Sequence, residues 1–185
     1  MKKIVMSIAV LALLVACSNK KEEVSIHTRI EMYEDSVVQW GGGQGDAAGR
    51  NAFADRYIDL LKTAAEQEPD NELTPTYLDR VHMWDLVKHD AVNAVKWAEM
   101  VVEKYPKYVN RQMLLESLAT IYDSDITPRD SAKVRKYYMQ LLNEYPNIDA
   151  SVKEDVLGRL KYNNLTFEEY IMKQIKEAEE NVPLD

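Results

Sequence analysis

Apolar residues along most of this 185-residue chain recur every three or four positions, which is the spacing of one buried face of an α-helix. No stretch alternates between apolar and polar residues over the length that a half-buried strand requires. Pro69, Pro106 and Pro146 each follow an apolar segment, as proline does where a helix ends. The pattern therefore predicts an all-α body that begins near residue 26.

The two ends of this body are less regular. Residues 30–40 fit either a short helix or a strand, and residues 41–45 contain too many glycines for a helix, so we expect a loop there. Thr166 is followed three residues later by Glu169, which is the sequence pattern of a capping box. This pattern predicts a last helix that continues to about Glu180.

The N-terminal segment has the composition of a secretory signal, with Lys2 and Lys3 followed by an apolar stretch over residues 4–16. As a helix, about thirteen residues span roughly 20 Å, which is shorter than the roughly 30 Å hydrocarbon core of a membrane. The tetrad Leu14-Val15-Ala16-Cys17 resembles the lipobox of bacterial lipoproteins. The resemblance implies cleavage before Cys17, and diacylglycerol and fatty acid attached to this cysteine. An ordinary signal peptide with a nearby cysteine is the alternative.

These features predict three regions: a signal peptide (1–16), the lipidated Cys17 with a flexible tether (17–26), and a helical repeat domain (27–185). Ser18 after the cysteine is unlike the inner-membrane retention signal of enterobacterial lipoproteins, which implies an outer-membrane anchor. The tripeptide Lys21-Glu22-Glu23 resembles a surface-export tag of some Gram-negative lipoproteins. That resemblance implies a domain exposed on the cell surface.

The chain is acidic, with 23 Lys and Arg residues against 31 Asp and Glu residues. Loss of Lys2 and Lys3 with the signal leaves 21 basic residues and a formal charge of −10. Such a chain lacks the basic surface that binds nucleic acid or an anionic membrane, so we expect neither mode of binding. Membrane attachment then depends on the lipid, and a protein partner is expected to be basic.

The prolines also reveal a repeat, because Pro69, Pro106 and Pro146 stand 37 and 40 residues apart. Leu115-x-x-Leu118-Ala119-x-x-Tyr122 resembles the first helix of a tetratricopeptide repeat. Ala94 with Pro106, and Tyr138 with Pro146, resemble the second helix. Val101, Val134 and Leu141 replace small residues of that family, and an unrelated helical bundle is the alternative.

The resemblance implies stacked antiparallel helix pairs in a right-handed superhelix, with a concave groove lined by the first helix of each pair. It implies a non-enzymatic scaffold that binds an envelope protein or peptide. The residues expected to contact the partner are offset from the packing positions: His82, Asp85, Glu116, Thr120 and Asp123.

No sequence motif indicates catalysis, a cofactor or a metal. His82 and His89 lie seven residues apart with Asp85 between them, but a zinc pair requires a spacing of four on one helix and a third ligand. The glycine pattern at residues 43–48 resembles a dinucleotide-binding loop, which would need a preceding strand. We therefore predict no enzyme activity, no cofactor and no metal site.

Aromatic residues suggest one alternative function. Trp84 and Trp97 fall on apolar stripes and are expected in the core, whereas Trp40 stands beside the glycine loop, where exposure is more plausible. An exposed aromatic surface would fit a glycan-binding accessory lipoprotein of an outer-membrane uptake system.

Overall fold

The computed structural model describes residues 24–40 and 47–180. These residues form eight α-helices and no strand: α1 (Ile26–Trp40), α2 (Ala47–Gln67), α3 (Thr74–Val87), α4 (Ala91–Lys104), α5 (Arg111–Ser124), α6 (Ser131–Glu144), α7 (Ala150–Lys161) and α8 (Phe167–Glu180). The predicted all-α fold is confirmed. None of the helices in these two ranges is long and apolar enough to cross a membrane.

The contacts divide the chain into two compact units, residues 1–46 and residues 47–185. The described part of the first unit contains α1, so the segment that fitted either a helix or a strand is helical. Cys17, the tether before residue 24 and the predicted glycine loop at residues 41–45 lie outside the described residues. The exposure predicted for the Trp40 side chain lies outside them as well.

The second unit is a stack of consecutive helices. Helix α3 packs against α4 and α5 packs against α6, and each of these pairs contacts the helices before and after it in sequence. Short turns separate the helices, because proline or a capping residue stands at most of their ends. This is the predicted arrangement of paired helices, with α3 and α5 as the first helices of two closely packed pairs. Helix α7 occupies the corresponding position before α8, whose Tyr170 lies over Arg159 of α7.

The residues that resemble the repeat pattern form the core of this stack. Leu115, Leu118 and Ala119 of α5 are fully buried, and so is Ala94 of α4. The larger residues that depart from the family pattern, Val101, Val134 and Leu141, are also fully buried. Truncating one of these leucines to alanine would cost roughly 2–5 kcal/mol of stability, because the stack encloses it on all sides.

Side chains at the helix ends determine where each helix begins. Asp90, Asp130 and Asp149 precede α4, α6 and α7, and each carboxylate accepts a hydrogen bond from a backbone N–H of the first turn. At α8 the predicted capping box is confirmed: the Thr166 N–H donates to Glu169 Oε2 at 2.7 Å, and the Glu169 N–H donates to Thr166 Oγ1 at 3.2 Å. Short polar residues therefore set the register of the stack.

Candidate functional site

Two neighbouring cavities run along the first helices of the stack and share Glu116 and Thr120 of α5. The first, which we call the α5–α8 cavity, has a volume of about 320 Å³ and extends from α5 to α8. The second, which we call the α3–α5 cavity, has a volume of about 500 Å³. Together they form one groove. The α5–α8 cavity is lined by Glu116, Thr120, Asp123, Tyr138, Val152, Asp155, Val156, Arg159, Phe167, Tyr170 and Ile171. The α3–α5 cavity is lined by Leu86, Met113, Glu116, Ser117, Thr120, Ile121 and Asp125.

The groove combines apolar walls with carboxylates. Met113 and Phe167 lie in its two halves with 60% and 42% of their surfaces exposed, which leaves apolar area available for contact. Glu116, Asp125 and Asp155 form no ion pair with any described residue. These three side chains therefore supply negative charge that a basic partner would neutralise.

Asp123 was also predicted to contact a partner, but its carboxylate is hydrogen-bonded to two arginines of the same chain. Its carboxylate accepts from Arg129 Nε at 2.6 Å and from both Nε and Nη2 of Arg159 at 2.7 Å. Only 2% of the Asp123 side chain is exposed. The residue lines the α5–α8 cavity but mainly joins α5 to α7 and to the turn before α6.

Arg159 lines the α5–α8 cavity and is 4% exposed. Its Nη2 also donates to the Leu165 carbonyl at 3.3 Å, and its Cζ lies 4.5 Å from the centre of the Tyr170 ring. Gly158 makes room for this ring, since a Cβ there would lie 2.6 Å from the Tyr170 hydroxyl. Arg159 Nη1 is buried and has no hydrogen-bond partner among the described residues.

His82, predicted to contact a partner, is fully buried beneath the groove. Its Nδ1 lies 3.0 Å from the Ala94 carbonyl, which can only accept, so Nδ1 carries the proton and Nε2 accepts from Ser117 Oγ at 3.1 Å. Burial lowers the pKa of His82 and so favours the neutral ring. His82 therefore supports Ser117 in the wall of the α3–α5 cavity and is not itself accessible to a partner.

Asp85 is likewise inaccessible, with 5% of its surface exposed. Burial raises the pKa of Asp85, against the smaller opposing effect of the nearby Lys62. Its Oδ2 and the Trp97 Nε1 are both buried without a hydrogen bond of standard geometry among the described residues. Asp85 also lines neither cavity. A partner in the groove therefore cannot contact His82 or Asp85 directly in this structure.

The repeat itself explains why these two positions are buried. A shift of 37 residues, the spacing of Pro69 and Pro106, aligns His82 with the buried Ala119 and Asp85 with the buried Tyr122. The same shift aligns the groove residues Glu116, Thr120 and Asp123 with different residues of α3. These are Asp79, Met83 and Leu86.

The structure confirms one of these equivalences, because Leu86 lines the α3–α5 cavity. Met83 is 54% exposed, in agreement with a position outside the core. The spacing of the prolines therefore identifies, from the sequence alone, which residues of α3 correspond to the groove residues of α5. Met113, Asp125 and Asp155 carry no comparable sequence signal, since exposed residues of this kind occur on most helices.

A half-buried carboxylate, Glu99, connects α4 to α5 and α6. Glu99 of α4 accepts from Lys133 Nζ at 2.5 Å, Tyr137 Oη at 2.6 Å and Tyr122 Oη at 3.0 Å. Burial raises the pKa of Glu99, but these donors outweigh that effect and the net pKa is lowered. Over residues 24–40 and 47–180, no group of three His, Cys, Asp or Glu side chains is arranged to hold a metal ion.

No protein-family model matches the chain, and no curated protein matches it.

Proposed function

We propose that this protein is a lipid-anchored, non-enzymatic scaffold of the cell envelope that binds a basic protein or peptide segment in the groove along α3, α5 and α7. The observation that carries this proposal is the pair of adjoining cavities that share Glu116 and Thr120. An extended or helical segment that contacts one cavity would reach the other, because the same side chains line both.

The composition of the groove favours a basic segment with apolar side chains. Its unpaired carboxylates, Glu116, Asp125 and Asp155, would attract lysine or arginine, and Met113 and Phe167 would contact aliphatic groups. The glycan-binding alternative has less support, since Trp84 and Trp97 line neither cavity. Tyr57 packs edge-on against Trp84, with 6.2 Å between the ring centres, in agreement with a packing role.

Site-specific photo-cross-linking tests the groove. A benzophenone side chain at Thr120, which is exposed and lines both cavities, is expected to cross-link a discrete partner in intact cells. Thr63 is the matched control, because it is an exposed threonine on α2 that lines neither cavity. The yield from Thr120 in isolated membranes should fall as the salt concentration rises, since screening weakens attraction between exposed charges. Equal cross-linking from both positions, or none from Thr120, would contradict the proposal.

The anchor is tested separately through Cys17. Cells grown with an alkyne fatty acid should incorporate it into the natural protein, and the Cys17→Ser variant should lose both the label and its place in the membrane fraction. Several acyl chains on one residue give stable membrane attachment, so the loss should be nearly complete. Ser18→Ala is the control and should retain the label. Full labelling of Cys17→Ser would disprove lipidation at this residue.

A further inference from the structure

We infer that the α5–α8 cavity is a pocket for one lysine or arginine side chain of the partner segment, with Glu116 and Asp155 pairing with its cation. The inference rests on the proposed function, because it assigns one part of the partner to one part of the groove. Its basis is the size of the cavity, the balance of charges around it and the unsatisfied donor of Arg159.

The size and walls of the cavity suit an alkyl chain. Its volume of about 320 Å³ lies at the lower end of the range of ligand pockets, about 300–1,000 Å³, and therefore suits a single side chain with its adjacent backbone. Val152, Phe167 and Ile171 provide apolar contact for a methylene stem. Lysine and arginine stems pack along apolar surface in this way while the charged end reaches polar groups.

The charges around the cavity favour a cation over an anion. Asp123 is neutralised by Arg129 and Arg159, which bind it at 2.6–2.7 Å. The other two carboxylates, Glu116 and Asp155, form no ion pair with any described residue. Three carboxylates against two guanidinium groups leave the site negative, so a carboxylate ligand would be repelled.

Arg159 provides an observation independent of the acidic residues. The residue is buried and lines the cavity, yet its Nη1 has no acceptor among the described residues. A buried charged donor without an acceptor is unfavourable, and a neutral acceptor would relieve this without adding negative charge. Nη1 has almost no accessible surface, so an acceptor from the partner segment reaches it only if the wall of the cavity shifts on binding. We assign this role to the backbone carbonyl beside the bound lysine or arginine.

Three capped amino acids test this pocket when titrated into the ¹⁵N-labelled full chain and followed by NMR. Nα-acetyl-arginine methylamide should produce saturable shifts in the amide signals of Glu116, Asp155 and Phe167. Nα-acetyl-norleucine methylamide keeps an alkyl stem without the cation and should bind at least about ten-fold more weakly, a difference of about 1.4 kcal/mol. Nα-acetyl-glutamate methylamide should not produce saturable shifts. Equal binding of the norleucine probe, or tighter binding of the glutamate probe, would overturn the inference.

A double variant assigns the effect to the two carboxylates. Glu116→Gln with Asp155→Asn should weaken the arginine probe at least about ten-fold, whereas Asp125→Asn in the α3–α5 cavity should change it less than about two-fold. Unchanged binding to the folded double variant would also overturn the inference. Cross-linking at Thr120 does not depend on the arginine probe, so a partner captured there without probe binding would leave the proposed function intact and reject only the pocket.

Discussion

Asp123 of α5 and Arg159 of α7 are joined by two hydrogen bonds of 2.7 Å, although 36 positions separate them in the sequence. Arg129, from the turn between α5 and α6, binds the same carboxylate at 2.6 Å. The three side chains thus connect two successive first helices of the stack through a single buried anion. Two of them, Asp123 and Arg159, also line the α5–α8 cavity.

Removing the charge of Asp123 should therefore destabilise the whole stack. Asp123→Asn keeps the size of the side chain but leaves two guanidinium groups without their counterion, and breaking such a buried pair costs about 3–5 kcal/mol. Urea denaturation followed by circular dichroism measures the change in the free energy of unfolding. Asp125→Asn, two residues away and exposed, should change it by less than about 0.5 kcal/mol. Equal midpoints for the two variants would show that the network contributes little.

Asp123 also shows which features of the structure can be predicted from the sequence and which cannot. The helical spacing and the prolines predict the all-α body, its paired helices and the last helix, because these depend on local patterns that repeat along the chain. The partners of Asp123 were not predictable, since a contact between residues 123 and 159 depends on how α7 packs on α5. His82 is a different case. The family resemblance placed it in the groove, but the 37-residue shift aligns it with the buried Ala119, so the sequence contained the signal for its burial. Only its contacts with Ala94 and Ser117 depend on how α4 and α5 pack.

The buried His82 predicts a pH dependence of stability. Burial lowers its pKa below the ordinary value of 6.5, against the smaller raising effects of the Ala94 carbonyl and of Asp79 and Asp85. Below about pH 6.5 the unfolded chain therefore takes up a proton that the folded chain does not bind, and the free energy of unfolding falls as the pH falls. Urea denaturation at pH values from about 7.5 to about 5.5 should show this loss, whose upper limit for a single group is about 1.4 kcal/mol per pH unit.

Two variants isolate this contribution. His82→Gln should be less stable at every pH but should lose most of the slope between about pH 7.5 and about pH 5.5. His89→Gln, at an exposed position, should keep the slope. The raised pKa of Asp85 acts in the opposite direction, because the folded chain there binds the extra proton at pH values between the ordinary pKa of 3.8 and the raised pKa. An unchanged slope in His82→Gln would assign the pH dependence to other groups.

The end of α3 contains a strained residue whose replacement should stabilise the protein. His89 has φ of 59°, and its N–H donates to the Leu86 carbonyl at 2.9 Å while the Asp90 N–H donates to the Asp85 carbonyl at 2.8 Å. These two bonds form a Schellman motif, in which glycine usually occupies the position of His89. An L-residue in this conformation costs roughly 1–2 kcal/mol, so His89→Gly should raise the free energy of unfolding by about 1 kcal/mol.

The adjacent Lys88 supplies the matched control. Its φ of −83° is accessible to any residue, so Lys88→Gly gains nothing from relieved strain and loses conformational restriction of the unfolded chain. It also removes the exposed ion pair between Lys88 Nζ and Asp55 Oδ1 at 2.6 Å, so it should destabilise the protein by about 1–2 kcal/mol. Thermal melts of both variants measure the change in stability. Destabilisation of similar size in both would show that the left-handed backbone at His89 is not strained.

Helix α8 should depend on its capping box more than the other helices do. None of its side chains is buried, so packing contributes little to its stability, and the reciprocal bonds between Thr166 and Glu169 satisfy two backbone N–H groups at its start. Thr166→Ala should cost about 1 kcal/mol and lower the hydrogen-exchange protection of α8 about five-fold, with α5 and α6 unaffected. Thr63→Ala, at an exposed position inside α2, should leave the protection of α8 unchanged.

Because Phe167, Tyr170 and Ile171 line the α5–α8 cavity, Thr166→Ala should also weaken binding of the arginine probe. Undiminished protection of α8 in Thr166→Ala would mean that contacts with α7 hold this helix, and the wall of the pocket would then be more rigid than its exposure indicates.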